Sequence, residues 1–269
     1  MLTLQKLRRK TLRTLFRYDP SYTDMFEDKS EAYFARLYLY HMEPYLAELP
    51  QGAKILDAGC QAGRFTVPLA KMGFQVTGLD SSGFSISRAQ KHCRANNVPA
   101  EFIRGDIGEI CARLSEISFD AILCMEVLYL HRHYRNLMTA MLRVLKPEGI
   151  LLSSHRTKFY YLIRALQQKD FTTARLIVEN EEGILWGTYL NWQTVEQLKM
   201  LHNQLGLKTQ GIHPVGIFSE FSLSPGELEL SGQEALFETE KDPFDEVTGC
   251  TRYLLAVAEK VSTPCPHLS

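Results

Sequence analysis

Between residues 53 and 156, five short apolar runs alternate with helical patterns, and this alternation most limits how the chain can fold. Ala53–Asp57, Phe74–Asp80, Glu101–Asp106, Phe119–Cys124 and Ile150–Ser154 read as strands. Helical periodicity fills 85–96 and 134–145, a short helix follows the third strand, and Lys146-Pro147-Glu148-Gly149 reads as a turn. Repeated β-α-β units imply right-handed crossovers and a parallel sheet. Two further apolar runs, 207–218 and 251–259, complete an α/β, doubly wound, mostly parallel sheet with helices on both faces. Ligands of such sheets bind beyond the carboxyl ends of the strands.

The flanks differ from this core. Residues 1–50 read as an N-terminal helical cap, rich in tyrosine and phenylalanine from 18 to 45. Residues 51–156 form the α/β core, and 157–191 an aromatic cap insertion. Residues 192–261 return to the same domain, with a helix expected over 192–205 and an acidic connection at 224–249; 262–269 is a tail. The first 18 residues carry Lys6, Arg8, Arg9, Lys10, Arg13 and Arg17 without an acid, with Leu4, Leu7, Leu12 and Leu15 near one helical face. A surface helix packed on the body is the expected reading; a membrane-surface helix, an RNA contact and a transit peptide are the others.

The net charge of −1 argues against whole-surface attraction to nucleic acid. The six cysteines form no C-x-x-C pair, which suits free thiols in a reducing cytosol, and no metal is assigned. No apolar run approaches the ~20 residues of a membrane span. A cytoplasmic protein is expected.

The turn after the first strand reads Asp57-Ala58-Gly59-Cys60-Gln61-Ala62-Gly63. A dinucleotide site wants G-x-G-x-x-G, and counting from Gly59 the next two required glycines are Gln61 and Arg64. A P-loop would end in Gly-Lys-Ser/Thr, which is also absent. What remains is an acid at the strand tip and two glycines four apart, better suited to a cationic or amine-bearing ligand than to a phosphate.

Residues 55–63, I-L-D-A-G-C-Q-A-G, resemble the first motif of class I S-adenosylmethionine-dependent methyltransferases, with Gln61 in place of the usual central glycine. Later motifs match in order: V-T-G-L-D-S-S ending the second strand, R-G-D-I after the third, C-M-E-V-L at the fourth, and L-K-P-E-G-I before the fifth. The resemblance covers about residues 50–156 and implies a seven-stranded Rossmann-like sheet with S-adenosylmethionine as cofactor. It implies cofactor-binding roles for Asp57, Gly59, Gln61, Gly63, Asp80, Ser81, Asp106, Ile107 and Met125. Asp80 would accept both ribose hydroxyls, Asp106 the adenine amino group, Ile107 would wall the ring, and Met125 would border the methionine end. Asp57, Asp80 and Asp106 also suit helix N-caps.

Methyl transfer from a sulfonium mostly needs alignment and exclusion of water, plus a base if the nucleophile is a hydroxyl or protonated amine. His131, just past the fourth strand, is the candidate base because imidazole titrates near neutral pH. Tyr129, His155 and Tyr160 are candidate substrate contacts. M-E-V-L-Y-L-H at 125–131 resembles the M-E-x-L-E-H of ubiquinone-biosynthesis O-methyltransferases, with Tyr129 and Leu130 replacing Glu and His. The acceptor is expected to be a small organic molecule methylated at oxygen or nitrogen. Strand four ends in C-M-E-V rather than an N-P-P-Y type motif, which argues against DNA. RNA or protein methylation through the basic N-terminal segment, and a non-catalytic cofactor-binding module, are the alternative readings.

Overall fold

The computed structural model describes residues 29–221, 225–243 and 245–262; the basic N-terminal segment and the C-terminal tail lie outside them. Seven strands form one sheet in the order β3-β2-β1-β4-β5-β9-β8. These are β1 (Lys54–Ala58), β2 (Gln75–Asp80), β3 (Glu101–Arg104), β4 (Phe119–Cys124), β5 (Leu145–Arg156), β8 (Leu207–Val215) and β9 (Tyr253–Lys260). The first five pair in parallel; β9 runs antiparallel to both β5 and β8. The strand order reverses at β1 and β4, so the carboxyl ends of these two strands border a crevice where a ligand can enter.

Strand alternation sets the two cores. Ile55, Leu123, Leu152, Leu255 and Val257 point to one face, and Leu56, Ile122, Leu151 and Leu254 to the other. The first face is covered by α1 (Lys29–Ala47), which buries Phe34, Leu37, Tyr38, His41 and Met42 at helical spacing, and by α2 (Thr66–Lys71). α3 (Gly83–Ala95) packs beside α2. On the second face lie α4 (Ile107–Arg113), α5 (Tyr134–Val144) and α8 (Val195–Gln204). Thr194 and Gln197 close a capping box that fixes the start of α8, so the expected helix over 192–205 begins later. Trp192 is instead fully buried in a third cluster with Tyr160, Tyr161, Ile177 and Leu185. That cluster is the core of the 157–191 segment, built from α6 (Lys158–Gln167), α7 (Phe171–Glu179) and the hairpin β6 (Glu182–Leu185) and β7 (Thr188–Asn191).

Two local expectations are corrected. The turn at 146–149 does not precede β5 but lies inside it as a bulge, where the pairing with β4 slips between Phe119 and Ala121. The acidic 224–249 connection is not a plain loop, because it carries α10 (Leu230–Glu240) after a short α9 (Phe218–Phe221). Phe237 and Leu236 pack α10 on α1, and Arg36 forms a bidentate pair with Glu234. Glu240, buried, accepts from the Tyr33 hydroxyl and from the backbone N–H groups of Ile217 and Ser219. Acidic composition reads as solvent-exposed, but Glu240 has three donors to replace water.

Candidate functional site

The site begins at the β1–α2 turn. Gly59 and Cys60 donate their N–H groups to Leu79 O at 2.7 and 3.0 Å, which pins the turn to β2. Gly59 has φ 87°, and a Cβ there would meet Val127 Cγ2, so the turn packs directly on the segment after β4. Gly63, at φ 89°, packs so close to Ala89 of α3 that a Cβ there would sit 3.3 Å from the Ala89 Cβ, a crowded contact. Gln61 takes the left-handed conformation too, φ 47°. The central glycine of the motif is therefore missing while its backbone shape is kept. An L-residue pays about 1–2 kcal/mol in that region, partly offset by the greater freedom glycine loses on folding. Gln61→Gly is expected to stabilise the fold by about 0.5–1 kcal/mol, seen as a rise of about 1–3 °C in thermal unfolding. A fall in melting temperature would show that the glutamine side chain holds the turn.

Three acids line the carboxyl edge. Asp80, at the tip of β2, accepts from Gln61 N (3.0 Å) and Ser82 N (2.8 Å), one per oxygen. The group is only partly buried, and each oxygen keeps a lone pair for a further donor. Asp106 is exposed and caps α4 through Glu109 N at 3.1 Å using Oδ1, leaving Oδ2 available. Ser81 is exposed beside Asp80, and Ile107 is buried. Asp57 is 2% exposed and accepts from the Thr66 hydroxyl at 2.6 Å, so it braces the turn from inside. Two acids thus offer unused acceptor capacity at the surface and one does not.

Burial pushes Asp57 up to about 6, with Asp80 adding to the rise and Thr66 opposing it. An acid raised in the folded state contributes stability below its unfolded value near 3.8, lost as the pH climbs through about 6. Asp57→Asn keeps an acceptor for Thr66 and removes the titration. Between about pH 4 and pH 7 the wild type is expected to lose about 2–3 kcal/mol relative to Asp57→Asn, measured by urea unfolding at each pH. A pH-independent difference would refute the buried acid.

A charged cluster sits past the ends of β4 and β5. Glu126 has φ 59°, and its N–H donates to Ser154 Oγ at 2.6 Å. Its carboxylate pairs with Arg64 (2.6 Å) and accepts from the Tyr253 hydroxyl (2.5 Å). Arg64 also pairs with Glu31 of α1 at 3.0 Å. Burial opposes ionisation of Glu126, but Arg64, the Tyr253 hydrogen bond, Arg156 and Arg252 outweigh it and hold the carboxyl below its usual range. Arg156 donates through Nη2 to the Tyr253 hydroxyl at 2.9 Å. Its guanidinium carbon lies 3.9, 4.7 and 5.0 Å from the Tyr253, Tyr160 and Tyr129 ring centroids.

The sequence candidates divide accordingly. Met125, Tyr129 and Tyr160 are buried, and both tyrosines border Arg156. His155 is fully buried on the opposite face of β5, between Ser153 Oγ (2.9 Å) and Gln193 Oε1 (3.3 Å). Burial pushes it down to about 3, with His202 adding to this and Gln193 opposing it, so it is neutral. His131 is exposed at the end of a 3₁₀ turn, Leu128–Leu130. Arg64, Glu126, Arg156 and Tyr253 escaped sequence reasoning. Arg64 registered only as an absent glycine, and the charge ending the apolar β5 run was the one signal for Arg156.

Solved chains share this architecture. An S-adenosylmethionine-dependent methyltransferase from Methanosarcina mazei superposes with TM-score 0.58 at 18% identity, over 81% of this chain and 97% of its own. The 1,6-didemethyltoxoflavin-N1-methyltransferase of Burkholderia thailandensis, solved with 1,6-didemethyltoxoflavin and S-adenosylhomocysteine, gives 0.57 at 14%, over 97% and 90%. At such identities the likeness is one of fold, that of the class I S-adenosylmethionine-dependent methyltransferases. Residues 49–203, more than half of the chain, match the profile of a methyltransferase domain, and the chain belongs to that family. Among curated proteins, the ubiquinone biosynthesis O-methyltransferase of Rickettsia akari is 30% identical over 125 residues, 46% of this chain and 47% of that protein. The chain spans about half the length of the curated relatives it matches.

S-adenosylmethionine is the cofactor of this class, and the donor set fits it. The unused lone pairs of Asp80 suit a vicinal diol, and the free oxygen of Asp106 suits an amino group. No helix among the described residues is long and apolar enough to cross a membrane.

Proposed function

We propose that this chain transfers a methyl group from S-adenosylmethionine to an oxygen or nitrogen of a small organic molecule. The observation that carries the acceptor class is the set of Tyr129, Tyr160 and Tyr253 rings at the carboxyl ends of β4 and β5, all buried around Arg156, with Tyr253 also bonded to Glu126. Aromatic walls with a few placed polar groups are the usual lining of a small-ligand site.

Asp80 would take the ribose hydroxyls, Asp106 the adenine amino group, and Ile107 one face of the ring. Gly59, Gln61 and Gly63 would bring the turn's backbone against the amino-acid end, with Asp57 holding that turn from within and Met125 beside the sulfur. Ser81 flanks the ribose. When bound, the cofactor supplies a methyl carbon on a positively charged sulfur, whose leaving group is a neutral thioether. The chain's work is then to align the nucleophile and keep water out. Tyr129 and Tyr160 would wall the acceptor. His131 is the candidate proton acceptor, since an exposed imidazole can pass a proton to bulk water. His155, neutral and held on the other face, would set the end of β5 rather than touch the acceptor.

Methyl-labelled S-adenosylmethionine incubated with the full chain tests this reading. Label is expected in a low-molecular-weight product separable from S-adenosylmethionine and its breakdown products, formed only when the chain and a small-metabolite extract are both supplied. Label appearing only in RNA or protein would contradict it.

A further inference from the structure

Arg156 is 8% exposed, yet its Nε and Nη1 have no hydrogen-bond partner among the described residues. Those two nitrogens carry three of the five guanidinium N–H donors. No carboxylate touches Arg156 directly among the described residues; the Tyr253 hydroxyl stands between it and Glu126, whose charge it feels at a distance. The neighbouring Arg64 also leaves Nε and Nη2 without a partner among the described residues, but its charge is met directly by Glu31 and Glu126. A buried guanidinium that no carboxylate contacts directly is costly, and the more distant Glu126 and cation–π contacts to Tyr253, Tyr160 and Tyr129 offset only part of that cost.

Placement gives the unmet charge a meaning. Cys124, the end of β4, pairs with Ser153, so Ser154, His155 and Arg156 project past β4 at the carboxyl edge. Ser154 and Arg156 lie on the same side of the strand as Leu152, towards Tyr253, and Ser154 accepts the Glu126 N–H there. Arg156 thus lies on the side of the sheet that carries Met125 and Tyr129, not among the helices of the other face.

Resting on the methyltransferase reading above, we propose that the acceptor carries a carboxylate and that Arg156 binds it between the Tyr129, Tyr160 and Tyr253 rings. Nη2 keeps a second N–H, which makes a planar fork with Nε or Nη1 among the aromatic rings and suits a flat, two-oxygen anion. A phosphate calls for donors converging from several directions. Arg252, 5.0 Å from the Tyr253 ring, adds to the positive potential. Tyr253 and Glu126 orient the guanidinium through Nη2 and leave the other donors for the ligand.

The test uses the full chain loaded with S-adenosylhomocysteine and a set of aromatic carboxylic acids paired with their primary amides, benzoate and benzamide among them. Binding is followed by ligand-observed NMR and titration calorimetry. Acids are expected to bind roughly tenfold or more tightly than their amides. Arg156→Gln should abolish that ratio, and Arg156→Lys, which keeps the charge without the planar fork, should reduce it. Unchanged S-adenosylhomocysteine affinity in both variants reports that they fold. Equal binding of acids and amides, no acid binding at millimolar ligand, or an acid preference that survives Arg156→Gln overturns the proposal. Failure to bind S-adenosylhomocysteine would instead count against the methyltransferase reading, so the two failures are separable.

Discussion

Asp80→Ala is expected to weaken S-adenosylhomocysteine binding by about a hundredfold or more. Each Asp80 oxygen already holds one backbone N–H and has room for one ribose hydroxyl. A hydrogen bond to a charged group contributes about 1.5–3 kcal/mol, so losing two removes about 3–6 kcal/mol, or about two to four orders of magnitude in affinity. Part of the loss arrives through the turn, because Gln61 and Ser82 lose their acceptor as well. Asp80→Asn separates the two contributions: its amide oxygen can still accept one backbone N–H, but the second diol acceptor is gone. Calorimetry on the variants checks this, with circular dichroism confirming the fold. An affinity within threefold of wild type in Asp80→Ala would refute the ribose role.

Glu126→Ala is expected to lower the unfolding free energy by about 3 kcal/mol, because it breaks a largely buried ion pair and takes the acceptor from the Tyr253 hydroxyl. The side chains of Arg64 and Glu126 are 10% and 19% exposed. Without Glu126, Arg64 retains only Glu31 among the described residues, and the Tyr253 hydroxyl that holds Arg156 loses its acceptor. The cluster joins α1, the β1–α2 turn, the end of β4 and the start of β9, so the loss is not local. Glu126→Gln, which can still accept from Tyr253, should cost less. Because Glu126 is depressed in the folded state, its contribution is present above the unfolded carboxylate range and lost as the pH falls through the folded value. Urea unfolding near neutral pH and again in acid reads both effects. A loss below about 1 kcal/mol would mean that the pair behaves like an exposed one.

Much of the frame could be read from the chain because strand residues repeat with period two and turns declare themselves. The expected fourth strand, Phe119–Cys124, matches its bounds, and the first three lie within one or two residues of theirs. The Asp57–Gly63 turn and the acids at the tips of β2 and β3 are local in sequence, so a motif suffices to find them. β5 was harder. Its bulge at 146–149 hides the strand's start, and its end at Arg156 rather than Ser154 places His155 and Arg156 on opposite faces. Parity along the strand decides which of the two can face the acceptor.

The Arg64–Glu126–Tyr253–Arg156 cluster could not be read at all. Its members are 62, 127 and 97 positions apart along the chain and meet only because β1, β4, β5 and β9 are neighbours in the sheet. α10 was hidden for a similar reason: its acidic composition resembles a solvated loop until Tyr33 and the 217–219 backbone supply donors to Glu240.

Titration of the full-length chain with S-adenosylhomocysteine by isothermal calorimetry tests the central claim most directly. Saturable binding at one site, in the micromolar range and lost in Asp80→Ala, is the predicted result. A folded sample that gives no binding heat at millimolar ligand would contradict it.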